Sequence, residues 1–126
     1  MVKPGSAGDV TRRKPRDFLI KPEHFGRRSE TPWVKPPVDE GERRRLAAAY
    51  FQHRVAYEVL EAIAVDRSLT VERFAQRVGM KTDTLKRKLY GADVARLEEI
   101  LEWAYQMGVH VLPVIQEREQ LYPPQD

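Results

Sequence analysis

The sequence predicts an all-α protein: a compact helix-turn-helix domain of four to five helices, with a long first helix and a disordered basic N-terminal arm. Three observations carry that prediction. Apolar residues recur at helical spacing in four successive segments between Asp39 and Met107. Gly79 and Gly108 each follow the last apolar residue of such a segment, where a residue able to adopt a left-handed conformation stops a helix. Between Val71 and Tyr90, small, apolar and glycine positions fall where two helices crossing at a tight turn need them.

Residues 1 to 38 form the arm. It holds six prolines, Pro4, Pro15, Pro22, Pro32, Pro36 and Pro37, which interrupt regular structure. Few apolar residues accompany them, so the segment is read as mostly disordered alone, unable to offset its ordering entropy. Phe18-Leu19-Ile20 and Trp33-Val34 are islands suited to docking on a partner or on the chain's own domain.

The helical domain is placed at 39 to 115, and a polar tail at 116 to 126. Asp39 to about Val65 is one long helix: acids Asp39, Glu40 and Glu42 favour its start, and Phe51, Val55, Val59 and Ile63 recur at i+4 beside Ala56 and Leu60. Its first half is longer than a compact unit requires, so it either projects as an interface or folds back. The helix from about Val71 to Val78, capped near Ser68 to Thr70, buries Phe74, Ala75 and Val78. The next runs from Thr82 or Asp83 to Tyr90 on Leu85 and Leu89, with Lys86, Arg87 and Lys88 between them, so it is apolar behind and basic in front. Ala95 to Met107 follows with an apolar face of Leu97, Ile100, Leu101, Ala104 and Met107. The apolar tail Val109 to Ile115 either seals the core or forms a dimer contact.

Composition narrows the function. With 41% hydrophobic and 33% charged residues, 126 residues suit one modest domain. No apolar run reaches the length of a membrane span and the N-terminus lacks a signal-like hydrophobic region, so a cytoplasmic location is expected, with no membrane partner. The absence of cysteine removes disulfides and thiolate metal sites. His24, His53 and His110 show no ligand spacing and no nucleophile or paired acids beside them, so no enzyme, metal or cofactor is expected. Trp103 and Tyr105 are assigned to the core and its rim.

Charge is segregated. Residues 1 to 36 carry nine bases against four acids, and residues 67 to 88 seven against Glu72 and Asp83, whereas 91 to 126 hold two against seven acids. The basic surface therefore lies on the arm and the two-helix unit, a distribution that suits a polyanion.

Residues 54 to 112 resemble the phage-repressor and Cro-like, or xenobiotic-response-element, class of helix-turn-helix proteins. The resemblance rests on Phe74-Ala75, Val78-Gly79-Met80 and Leu85, then on Leu97, Ile100-Leu101, Ala104 and Met107-Gly108-Val109. Lys81 departs from it where a Ser or Thr cap is usual, and Lys88 where a small or apolar residue is common. The resemblance implies that the second helix enters the major groove, with Thr82, Asp83, Lys86 and Arg87 at or near base edges. Arg87 leads this set, because its planar fork matches the O6 and N7 acceptors of guanine. Asp83 caps the helix, accepts from cytosine, or orients Arg87. Lys81, Lys88 and Thr70 are assigned to phosphate. From the arm, Arg12, Arg13, Lys14 and Arg16 are expected to follow the backbone or enter a minor groove.

The expected function is sequence-specific binding of double-stranded DNA by a repressor-like transcriptional regulator at the nucleoid. A homodimer through 109 to 115 or the long first helix would read two half-sites about 34 Å apart. The competing expectation is an antitoxin-like or adaptor module whose arm wraps a protein partner.

Overall fold

The computed structural model describes residues 14–111. Arg12 and Arg13, the end of the apolar tail from Leu112 and the polar tail all lie outside the described residues. The described residues include four α-helices: α1 (Glu40–Val65), α2 (Val71–Arg77), α3 (Thr82–Leu89) and α4 (Leu97–Met107). Two single turns of 3-10 helix, Pro15–Phe18 and Pro22–His24, precede them. Among the described residues there is no strand, only an isolated antiparallel bridge between Leu19 and Trp33.

Helix α1 begins where the Asp39 carboxylate accepts the Glu42 backbone N–H at 2.8 Å, satisfying one of the donors that a helix start leaves open. Its two halves serve different cores. The C-terminal half sends Val55, Ala56 and Val59 into the main cluster, with Leu69, Phe74, Ala75, Leu85, Leu89, Ile100, Trp103 and Ala104. The N-terminal half buries Leu46 and Ala49 against Phe18, with Trp33 and Val34 at the edge. The question of what the long first half of this helix is for is thereby answered: the chain's own arm covers it.

Disorder of the arm is corrected over residues 14 to 38. Phe18, Leu19 and Phe25 are all buried, and a fully buried side chain of this kind contributes about 1.5–3 kcal/mol. Backbone groups also find partners, since Ile20 donates to the Pro32 carbonyl at 3.1 Å and Val34 to that of Phe18 at 2.9 Å. The prolines that argued against structure instead open it. Pro15 and Pro22 each begin a 3-10 turn, a position with no need for the missing N–H. Composition averages over the segment, whereas docking depends on three large apolar residues that become buried in the fold.

Helices α2 and α3 stand where the sequence places its two-helix unit. Gly79, at φ 69°, lets the chain leave α2 sharply: its own N–H bonds to the Gln76 carbonyl at 3.2 Å and that of Met80 to Ala75 at 2.9 Å. Phe74, Ala75, Leu85 and Leu89 are fully buried between the pair and α1.

The apolar face expected of α4 is corrected. Ile100, Trp103 and Ala104 are buried, but Leu97 is 61% and Leu101 42% exposed, in a row with Val94 and Tyr105. The helix rolls to seat the indole of Trp103, the largest fully buried side chain. It also starts at Leu97 rather than Ala95, because the Ala95 N–H is held by Gln52 and the Arg96 N–H is accepted by Glu99 at 2.8 Å.

Candidate functional site

On α3 the buried Leu85 and Leu89 fix which side looks outward, and a turn of 100° per residue puts Asp83, Lys86 and Arg87 on that side. Thr82 and Lys88 flank it, both half-buried. The structure therefore groups three of the four residues expected at base edges and sets Thr82 at their margin.

Arg87 is held from the side. Its Nε and one terminal nitrogen donate to the two Asp93 carboxylate oxygens at 2.7 and 3.0 Å. The hydrogen bonds raise the Arg87 pKa and lower that of Asp93. Because the guanidinium carries five N–H donors, this side-on pair leaves the outer edge, two parallel N–H groups, facing away from Asp93. The orienting acid is thus Asp93, in the turn after α3, and not Asp83. Asp83 does not cap the helix either: the cap position is Lys81, with no side-chain hydrogen bond, and Asp83 adds negative charge to the first turn. Thr82, the other cap candidate, is the first residue inside the helix.

Lys88 leaves the set expected to meet phosphate. Its ammonium sits 2.7 and 2.9 Å from the two oxygens of Glu99, and both side chains are largely buried. Burial pushes the Glu99 carboxyl up, but hydrogen bonds from Lys88 and the Arg96 N–H outweigh it and the net shift is downward. The departure at Lys88 has a physical reason, since a lysine in this place ties α3 to the start of α4. Lys86 lies 3.8 Å from Glu72 of α2 with both side chains well exposed, a pair that contributes little. Lys81 is exposed at the start of α3. Thr70 caps α2 by accepting the Arg73 N–H at 3.1 Å, its hydroxyl still exposed to donate outward.

What fixes this face is Gln52, a buried residue of α1. Its side-chain amide donates to the carbonyls of Lys88 at 2.6 Å and Asp93 at 3.0 Å, while its oxygen accepts from Ala95 at 3.0 Å. One side chain thus sets the end of α3, the turn that carries Asp93, and the approach to α4.

The arm reaches the same place. The Arg16 N–H donates to the Gly91 carbonyl at 3.1 Å, and the Arg27 guanidinium lies over the Tyr90 ring, 4.2 Å from its centre. Gly91 packs against Phe25 so closely that a Cβ would fall 2.6 Å from the ring, and its φ of 77° disfavours any other residue. A cleft opens here, lined by Arg16, Glu23, His24, Arg27, Arg28 and Tyr90. Lys14 is exposed nearby, close enough for its charge to lower the Asp93 pKa.

Of the expected dimer surfaces, Val109 and Val111 pack against the main core, and the first half of α1 is covered by the arm. The exposed apolar row is instead Val94, Leu97, Leu101 and Tyr105.

Sequence reasoning missed Gln52, Asp93, Glu99, Arg27, Arg28 and Tyr90. Asp93 lies beyond the helix end, out of reach of helical periodicity, but the adjacent Arg27-Arg28 pair was visible in the charge of the arm.

No family model matches the chain, and no solved structure matches it. It is 35% identical over 109 residues to a Thermus thermophilus protein described as a putative cysteine ligase, BshC. The match covers 73% of this chain but 22% of that protein. No helix among the described residues is long and apolar enough to cross a membrane.

Proposed function

We propose that this protein binds double-stranded DNA sequence-specifically as a transcriptional regulator at the nucleoid, laying α3 in the major groove, and that it acts by binding rather than by catalysis. The observation that carries the reading is Arg87, held side-on by Asp93 with its outer edge toward solvent. A flexible arginine loses side-chain entropy on meeting a base, and one already oriented loses less. Asp83, Lys86 and Thr82 surround it with groups that read or border bases, while Lys81 and Thr70 suit phosphate.

Selection of bound sequences from a random duplex pool tests this directly. A short enriched site containing guanine is expected for the wild type, and Arg87→Ala is expected to relax that guanine, costing about 1–3 kcal/mol of discrimination. Recovery of unenriched DNA would count against the reading.

A protein-interaction module is the second reading, and the exposed apolar row of Val94, Leu97, Leu101 and Tyr105 favours it. Phe18, Trp33 and Val34 of the arm are engaged on α1, so a protein partner would meet the domain surface rather than be wrapped by these residues. Failure to bind any duplex, together with association with a protein partner, distinguishes this reading.

A further inference from the structure

We infer that the cleft between the docked arm and the end of α3 is a second phosphate-binding site, in which Arg16, Arg27 and Arg28 grip the DNA backbone beside the groove that α3 reads. The inference rests on the proposed DNA binding and adds a site to it. The three arginines arrive from two separate places in the arm. Arg16 is brought by its backbone bond to Gly91, and Arg27 by stacking on Tyr90. Arg28 follows Arg27 in the turn secured by His53, which accepts the Gly26 N–H at 2.8 Å.

Charge in this cleft is concentrated and left without close acidic partners. Arg45, Lys86, Arg87, Lys88 and Arg96 each lie within 4.0 Å of a carboxylate, but no such pair involves Arg16, Arg27 or Arg28 among the described residues. Glu23 is the one acid lining the cleft, and His24 is turned to the Thr31 hydroxyl at 3.0 Å. Three arginines against one glutamate leave a positive surplus at an open mouth. Arginine's planar fork suits the paired oxygens of a phosphodiester, and the Tyr90 ring holds the Arg27 guanidinium without consuming its N–H donors.

Position argues for a duplex backbone over a free phosphate. Tyr90 directly follows α3, and Gly91 to Asp93 form the turn that steadies Arg87, so a phosphate in the cleft lies alongside any DNA that Arg87 meets. A reader helix is held in its groove by backbone contacts on either side. Lys81 and Thr70 stand at or before the start of α3, and the arm supplies contacts at its far end.

The test measures binding of full-length protein to a fluorescent random duplex by anisotropy across a salt series. Each phosphate contact contributes about 0.9 to the slope of log affinity against log salt. Arg27→Gln with Arg28→Gln is expected to make the slope shallower by about 2 and to weaken binding by tenfold to hundredfold at ~0.1 M salt. The sequence selected from a random pool is expected to stay the same. Arg16→Gln with Arg28→Gln, which leaves the Tyr90 stack intact, is expected to act alike, and thermal melting establishes that both variants fold. An unchanged slope in either folded variant overturns the inference, while a simultaneous loss on Lys86→Gln with Arg87→Gln leaves the proposed function standing. Absence of duplex binding by the wild type overturns both. Binding of inorganic phosphate by the wild type that both variants lose, with their duplex binding unchanged, identifies a free-anion site and overturns the backbone assignment.

Discussion

Replacement of Gln52 by leucine is expected to destabilise the folded protein by about 3 kcal/mol, out of a total of roughly 5–15 kcal/mol for a domain of this kind. Leucine fills similar space, so the loss does not come from a cavity. It comes from hydrogen bonds: the Ala95 N–H and the Asp93 carbonyl lose the buried partner that Gln52 provides. Lys88 suffers less, since its carbonyl also accepts from Gly91 at 3.3 Å. A buried group left without a partner costs about 1–3 kcal/mol, and two such groups give the expected figure. Urea denaturation of wild type and variant measures it. Under the proposed function the same variant is expected to lose discrimination at the base assigned to Arg87 more than it loses non-specific DNA affinity, because the turn bearing Asp93 is released while the net charge is unchanged. A variant as stable as the wild type would show that the glutamine bonds are incidental.

Acid is expected to weaken the docked arm through His53. This imidazole is buried among Phe25, Trp33 and the turn at Gly26, and its pKa is lowered from 6.5 to about 4, by burial first and then by the charge of Arg54. The carbonyls of Arg28 and Ser29 oppose the shift without reversing it. A histidine depressed in the folded state is neutral there while the unfolded chain takes up a proton. Stability is therefore complete above about pH 6.5 and is lost progressively as the pH falls toward 4, by roughly 3 kcal/mol over the interval. The chemistry is local: Nδ1 accepts the Gly26 N–H at 2.8 Å, and once protonated it accepts nothing. His53→Asn retains an acceptor near the same place but does not titrate. Its unfolding free energy is expected to change less between pH 7 and pH 5 than the wild type's, by about 2 kcal/mol. Equal pH dependence in the two proteins would refute the assignment.

Much of the domain was legible in the sequence because its core obeys simple periodicities. Phe74, Ala75, Leu85 and Leu89 repeat at helical spacing and all are buried, and Gly79 turns the chain at the place its position implies. What stayed hidden depends on contacts between distant residues. Gln52 and His53 are polar residues of α1 that no apolar periodicity marks, yet each is buried because the chain folds a carbonyl or an N–H against it. The arm misled through its average composition. Its docking rests on the burial of Phe18, Leu19 and Phe25, and Phe18 and Phe25 meet Leu46, Ala49 and His53 of α1, residues distant from them in the chain. In the candidate site, the exposed charges of α3 followed from Leu85 and Leu89, whereas the pairings that decide their availability did not. Asp93 and Glu99 lie in the following turn and helix, and only the tertiary fold tells that Arg87 is oriented and Lys88 withdrawn.

The central claim is that the basic face formed by α3 and the docked arm meets DNA, and titration of the full-length protein against random duplex DNA across a salt series tests it most directly. The account predicts measurable binding at low salt, with affinity falling steeply and linearly on logarithmic axes as salt rises, since each phosphate contact releases counterions. Absence of binding at the lowest salt, with the protein shown to be folded, would contradict it.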